Sequence, residues 1–252
     1  MSITAAVAST ARLVTRENAF TSARELPRLL RHPVWRTVHR SPGAGPGVIL
    51  VPGFFAGSRS LAVLRRWLRA QGFRTRDAGV GLGIGCTSDL VDRLEQRIVE
   101  HAEHTGGRVV LIGHSRGGGL ARLAALRRPD LVRGLVMLGS PVLDPLGAHP
   151  AVLGAARALA RLSTVSRLPG LLTTDCLTGR CRDDHVAGLA APLPPGIPAL
   201  AVFSRRDAIV PWRTCLDPYA AHAEVHSTHL GMCVDPDVYA AIAPVLAGWT
   251  RA

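Results

Sequence analysis

The residues most suited to chemistry are Gly113-His114-Ser115-Arg116-Gly117, a G-x-S-x-G that follows the β-rich run Arg108–Ile112 and opens a helix-patterned stretch. A chain that reverses so sharply from strand to helix puts its serine in strained dihedrals, tolerates only glycine around it and holds the hydroxyl in the open. Gly117, Gly118 and Gly119 would let the new helix approach the sheet, with Leu120, Leu123 and Ala124 as its apolar face and Pro129 as its end. A serine hydroxyl is a poor nucleophile at neutral pH, so covalent chemistry here needs a histidine base and a carboxylate to orient it.

Both lie downstream. Ala199–Phe203 reads as a buried parallel strand, and Ser204-Arg-Arg-Asp207 leaves its C-terminal end, where open α/β sheets place their sites; Asp207 is the expected acid. A short strand over Ala223–His226 leads into Ser227-Thr-His229-Leu-Gly231, a polar loop, and His229 is the expected base. Asp130, Asp144 and Asp175 compete for the acid role, Asp144 lying just beyond the strand Gly134–Leu138. His222 and His226 compete for the base, and the three histidines together suggest a metal site. On a strand, however, His222 and His226 share a face that His229 does not, and no cysteine or carboxylate cluster stands at ligand spacing, so no metal is expected. The oxyanion of a tetrahedral intermediate needs two backbone N–H donors. Arg116, next to the serine, supplies one, and Phe54, in the Pro52-Gly-Phe-Phe55 turn after Val48–Val51, supplies the other. Phe55 and His114 flank these positions and are the expected substrate contacts.

Taken together these pieces resemble the α/β-hydrolase family from roughly Val48 to the C-terminus. The matching motifs are Val-Pro-Gly-Phe at 51–54, Gly-His-Ser-Arg-Gly-Gly at 113–118, Leu-Gly-Ser-Pro at 138–141, Ser-Arg-Arg-Asp-Ala-Ile-Val-Pro-Trp at 204–212 and Ser-Thr-His-Leu-Gly-Met at 227–232. More narrowly, the chain looks like the esterase/lipase-like hydrolases of high-GC actinobacteria. The resemblance implies an α/β-hydrolase fold, a mostly parallel sheet with helices on both faces and an inserted helical cap. It also implies a Ser-His-Asp triad that cleaves carboxylic esters with a hydrophobic acyl or alcohol part through an acyl-enzyme, with no cofactor. One departure is Pro52, where the family usually has His before Gly; a hydrogen bond that often stiffens the loop is thereby lost, although the donor itself is backbone. An acyltransferase or a thioesterase would use the same three residues. A catalytically silent binding protein would be expected to have lost one of them.

The elements that must position this machinery alternate. Strands are expected near 48–51, 73–78, 108–114, 134–139, 199–203 and 223–226, with helices at 58–70, 88–104, 117–128 and 236–249, the pattern of a parallel sheet covered on both faces. The segment from Asp144 to about Leu193 separates two strands by far more than a crossover needs. It is the expected cap, with a lid helix at Val152–Leu162 and an apolar lining from Leu153, Leu159, Leu171 and Leu172. Residues 1–40 read as amphipathic helices packed on the core, followed by a short edge strand at Val34–His39; residues 41–252 form the hydrolase domain.

At 252 residues, 47% hydrophobic and 19% charged, the chain can bury a large core and is not disordered. The net charge of +12 comes from scattered arginines, with 4% aromatic residues and no nucleic-acid motif, so nucleic acid is not an expected partner. A small, lipid-like ester is, and the N-terminal helices and the cap are the surfaces that would meet a membrane. Arg12, Arg16, Glu17 and Arg24 break the first apolar run, which argues against a signal peptide. The five cysteines, Cys86, Cys176, Cys181, Cys215 and Cys233, match no zinc pattern and are expected as reduced thiols in the cytoplasm; Cys176 and Cys181 are close enough in sequence to close a small loop if oxidised.

Overall fold

A computed structural model describes residues 24–37, 45–167 and 170–249. The apolar runs form strands: β1 (Gly47–Val51), β3 (Val109–His114) and β5 (Ala199–Phe203) are buried at every position, and β4 (Val132–Leu138) at all but Arg133. Strands this apolar on both faces are stable only when helices cover both sides, which is the situation of a parallel sheet. With β2 (Arg74–Asp77) and β6 (Ala221–Glu224) at its edges, the sheet has six parallel strands in the order β2-β1-β3-β4-β5-β6.

The two-residue period of a strand divides the core in two. Ile49, Val51, Leu111, Leu135 and Met137 pack on one face against Leu94 and Ile98 of α4 (Thr87–Thr105) and Leu120 of α5 (Arg116–Arg127). Val48, Leu50, Val110, Ile112 and Val136 pack on the other, against Trp67 of α3 (Ala62–Ala70) and Tyr239 and Ile242 of α9 (Pro236–Trp249). From β1 the chain moves outward to β2, then returns to place β3 on the other side of β1. The loops leaving β1 and β3 therefore diverge and open a crevice at the C-terminal edge of the sheet. Pro52-Gly-Phe and the Ser115 turn occupy those loops.

Between β4 and β5 stand α6 (Pro150–Ser166), α7 (Asp175–Thr178) and α8 (Arg180–Ala190). Pro150 at the first turn and the His149 imidazole, which accepts the Ala151 N–H at 3.2 Å, start α6; Ala151, Ala155, Ala156 and Ala160 form its buried face. The cap is stitched to the core by backbone as well, since the Leu172 N–H donates to the Ile84 carbonyl at 2.9 Å.

At the N-terminal side, α1 (residues 24–31) and α2 (Pro33–Arg36) pack near α9. Leu29 is fully buried, and the Trp67 indole donates to the Val34 carbonyl at 2.8 Å. The edge strand expected at Val34–His39 is not formed at 34–36. There Pro33 and the His32 ring, which accepts the Val34 N–H at 3.2 Å, start a helical turn that overrides the β preference of Val-Trp. The remainder of that expectation, with residues 1–23, lies outside the described residues. The last strand also begins two residues earlier than expected, at Ala221. Among the described residues no helix is long and apolar enough to cross a membrane.

Candidate active site

Ser115 has φ 55° and ψ −130°, a conformation few non-glycine residues adopt. Neighbouring structure holds it there: its N–H donates to the Leu138 carbonyl at 2.8 Å, and its own carbonyl accepts from Gly118 at 3.0 Å. A Cβ on Gly117 would run into the Val51 and Pro52 carbonyls, and one on Gly118 into the Ser140 side chain. The glycines of the motif are thus a steric demand of helix α5 lying on the sheet.

Because β5 and β6 pair from Leu200–Ala221 to Phe203–Glu224, the loops leaving their C-terminal ends are neighbours. His229 Nδ1–H donates to Asp207 Oδ2 at 2.6 Å, and the two side chains are 3% and 1% exposed. Asp207 Oδ1 accepts from the amides of Ile209 at 2.8 Å and Val210 at 2.7 Å, so both carboxylate oxygens are committed. This pairing leaves Nε2 as the basic nitrogen of the ring. Ser204, to which the sequence reading gave no role of its own, ties the two loops together: its buried Oγ accepts from the amides of Arg206 at 3.0 Å and Ser227 at 3.2 Å. The competing acids are engaged elsewhere. Asp144 is exposed and accepts the Leu146 N–H of its own turn, Asp130 pairs with Arg128, and Asp175 accepts the Cys181 N–H. Among the competing histidines, His222 donates to the Asp217 carbonyl at 2.8 Å and His226 is exposed.

His114 does not line the cavity. It is buried beneath the base with the two rings 4.7 Å apart, and its Nε2–H donates to the His229 carbonyl at 2.9 Å. Burial, with the adjacent His229, pulls it down to about 3 and keeps it neutral. Phe55, also at positive φ, is 48% exposed, with its ring edge-on to Phe54, and is not part of the cavity lining.

The loop carrying Phe54 meets the turn carrying Arg116. Gly53 lies so close to the serine that a Cβ there would be 3.0 Å from Ser115 Cβ, which brings the next amide, that of Phe54, alongside. Arg116 is the first residue of α5, where helix N–H groups have no partner inside the helix. Among the described residues neither amide has a protein acceptor. The Arg116 side chain, which sequence reasoning passed over, anchors the facing loop: its guanidinium donates to the Gly83 carbonyl, the Gly85 carbonyl at 2.9 Å and Thr87 Oγ1 at 3.0 Å. Burial draws it down to about 10, still a cation at neutral pH.

Phe54, Ser115 and Arg116 floor a cavity of about 100 Å³. Leu153, Leu172 and His185 of the cap belong to its walls, whereas Leu159 packs inside the cap and Leu171 is not part of the lining. His185 Nε2 is buried without a partner among the described residues, and desolvation, with the charge of Arg116, pulls the ring down to about 4.

A sequence profile of the α/β hydrolase fold matches residues 81–159. No curated protein sequence matches the chain. Several solved structures are similar in three dimensions. The mature lipase BlEst2 of Bacillus licheniformis has a TM-score of 0.63 at 15% identity, covering 83% of this chain and 95% of that one. A monoacylglycerol lipase of Paleococcus ferrophilus has a TM-score of 0.56 at 20% identity, covering 84% and 99%. A soluble variant of the Saccharomyces cerevisiae monoglyceride lipase, solved with a substrate analogue, has a TM-score of 0.60 at 14% identity, covering 86% and 90%. At such identities the likeness is one of fold. Together with the parallel six-stranded sheet, it shows that this chain has the α/β-hydrolase fold.

Proposed function

We propose that the protein is a serine hydrolase that cleaves carboxylic esters with a hydrophobic acyl or alcohol part. The observation that carries this reading is the buried His229–Asp207 hydrogen bond of 2.6 Å, delivered beside the elbow whose serine is held at φ 55°. In this reading Ser115 Oγ attacks the ester carbonyl and gives its proton to His229 Nε2, while the amides of Phe54 and Arg116 receive the oxyanion. His229 then protonates the leaving alkoxide, and the same nitrogen activates the water that releases the acyl group from Ser115. Asp207 holds the ring in the tautomer this requires. His114 positions the His229 backbone, and Phe55 meets the part of the substrate that extends beyond the cavity.

The walls supplied by Leu153, Leu172 and Leu177 support an apolar substrate group. The similar structures named above are lipases, which agrees with a lipid-like ester. The test is a series of p-nitrophenyl esters from acetate to palmitate, run beside a fluorophosphonate probe. Turnover together with labelling of Ser115 is expected. Labelling without turnover would move the assignment to acyl transfer onto an acceptor other than water, and absence of both would end the reading.

A further inference from the structure

Three cysteines that lie far apart in the sequence meet where the cap joins the core. Cys86 stands at the N-terminal end of α4, Cys176 in α7 and Cys181 in α8. Cys181 Sγ lies 3.6 Å from Cys86 Sγ and 3.7 Å from Cys176 Sγ, and all three sulfurs fall within 4.8 Å of one another. We propose that Cys86, Cys176 and Cys181 form a three-thiolate site for a soft divalent cation of the zinc class, which ties the cap to the core beside the candidate active site.

The geometry is that of a metal cage more than of a disulfide. With Zn–S bonds of about 2.3 Å at tetrahedral angles, ligand sulfurs stand about 3.8 Å apart. A disulfide would use two of the sulfurs and leave the convergence of the third without a purpose. The scaffold also holds the sulfurs together: the Asp175 carboxylate accepts the Cys181 N–H at 3.3 Å, and Gly179 makes room for that carboxylate, since a Cβ there would strike Asp175 Oδ1. Thr173 Oγ1 lies 3.5 Å from Cys176 Sγ and Ser88 Oγ 4.0 Å from Cys181 Sγ, so hydroxyls stand ready to donate to bound thiolates. Ala156, Ala160, Leu172 and Leu177 form an apolar surround. The half-buried Arg116 guanidinium interacts electrostatically with all three cysteines and would offset the single negative charge left by three thiolates on a divalent ion. Binding forms three metal–sulfur bonds, releases the thiol protons to solvent and needs no oxidant; solvent completes the coordination. The site does not depend on ester cleavage by Ser115.

The test uses the full chain, reduced and freed of metal under anaerobic conditions, and titrated with Co(II) and then Zn(II). One equivalent of Co(II) should give a thiolate-to-cobalt charge-transfer band and the visible bands of a tetrahedral ion, both erased when Zn(II) is added. Cys86→Ser, Cys176→Ser and Cys181→Ser should each lose the charge-transfer intensity, whereas Cys233→Ser should keep it. X-ray absorption of the Zn(II)-loaded wild type, which relies on no variant, should show three sulfur neighbours at about 2.3 Å. Absence of the charge-transfer band, a zinc shell made of nitrogen and oxygen, or an unchanged band in the Cys86→Ser protein would each overturn the proposal. So would an air-exposed protein in which two of these cysteines are joined and the reduced form takes up no ion.

Discussion

Replacing Asp207 with asparagine isolates the orienting role of one oxygen. The carboxylate accepts three hydrogen bonds, from His229 Nδ1 on Oδ2 and from the Ile209 and Val210 amides on Oδ1. Asparagine has only one acceptor oxygen. Turned toward His229, that oxygen would leave two buried amides facing an NH₂ group, at about 1–3 kcal/mol each. The side chain therefore keeps its oxygen on the amides and presents NH₂ to the imidazole. Nδ1 must then accept, the ring proton moves to Nε2, and the base is lost. The expected result is a fall in kcat of about 10⁴-fold, or about 5.4 kcal/mol, with little change in KM because the cavity walls are untouched. Steady-state hydrolysis of p-nitrophenyl butyrate and the rate of fluorophosphonate labelling read this directly, with circular dichroism to confirm the fold. A loss of less than about tenfold, or an equal loss in Asp144→Asn, would refute the reasoning; the Asp144 carboxylate only caps its own exposed turn.

Ser115→Ala should abolish labelling and lower turnover by at least about 10³-fold without unfolding the chain; a smaller loss would mean another nucleophile. An engineered apolar cavity of about 150 Å³ accepts benzene, so the 100 Å³ cavity should favour butyrate over palmitate esters, and Leu153→Trp should depress kcat/KM for all but acetate. Preference for palmitate would show that cap opening, not this volume, sets chain length. Burial lowers His114 from 6.5 to about 3, so the unfolded chain binds a proton that the folded one refuses. Its contribution to stability is present above about 6.5 and is lost as pH falls toward 3, by up to about 1.4 kcal/mol per pH unit. His114→Gln, which can still donate to the His229 carbonyl, should flatten the fall in urea midpoint between pH 7 and 5; equal falls in both proteins would reject it.

Features that depend on local pattern were legible in the sequence. The apolar runs at 48–51, 109–114 and 199–203 are strands because nothing else buries both faces of so short a segment. The Ser115 turn carries its own glycine signature, and the two loops holding Asp207 and His229 follow recognisable strands. Properties set by closure over distance were not legible. His114 has the same sequence context whether it faces a cavity or the underside of His229. The Arg116 guanidinium finds the carbonyls of Gly83 and Gly85 only after α5 has docked. The meeting of Cys86 with Cys181 spans the whole distance between α4 and the cap and leaves no spacing motif. At Val34 local chemistry did decide the outcome, but through the His32–Pro33 start signal rather than the β-branched side chain.

The placement of the cap bears on how readily such a protein changes what it accepts. β4 and β5 pair directly, yet some sixty residues run between Leu138 and Ala199. Loop entropy rises only with the logarithm of length, so replacing a minimal crossover of about a dozen residues by this one costs roughly 1.4 kcal/mol, before any packing is gained. The two strand ends are pinned by their own hydrogen bonds whatever the insertion does. Mutations can therefore lengthen, reshape or exchange the intervening helices while the distances among serine, imidazole and carboxylate stay fixed; under the function proposed above, the evolution of selectivity is then nearly decoupled from that of reactivity.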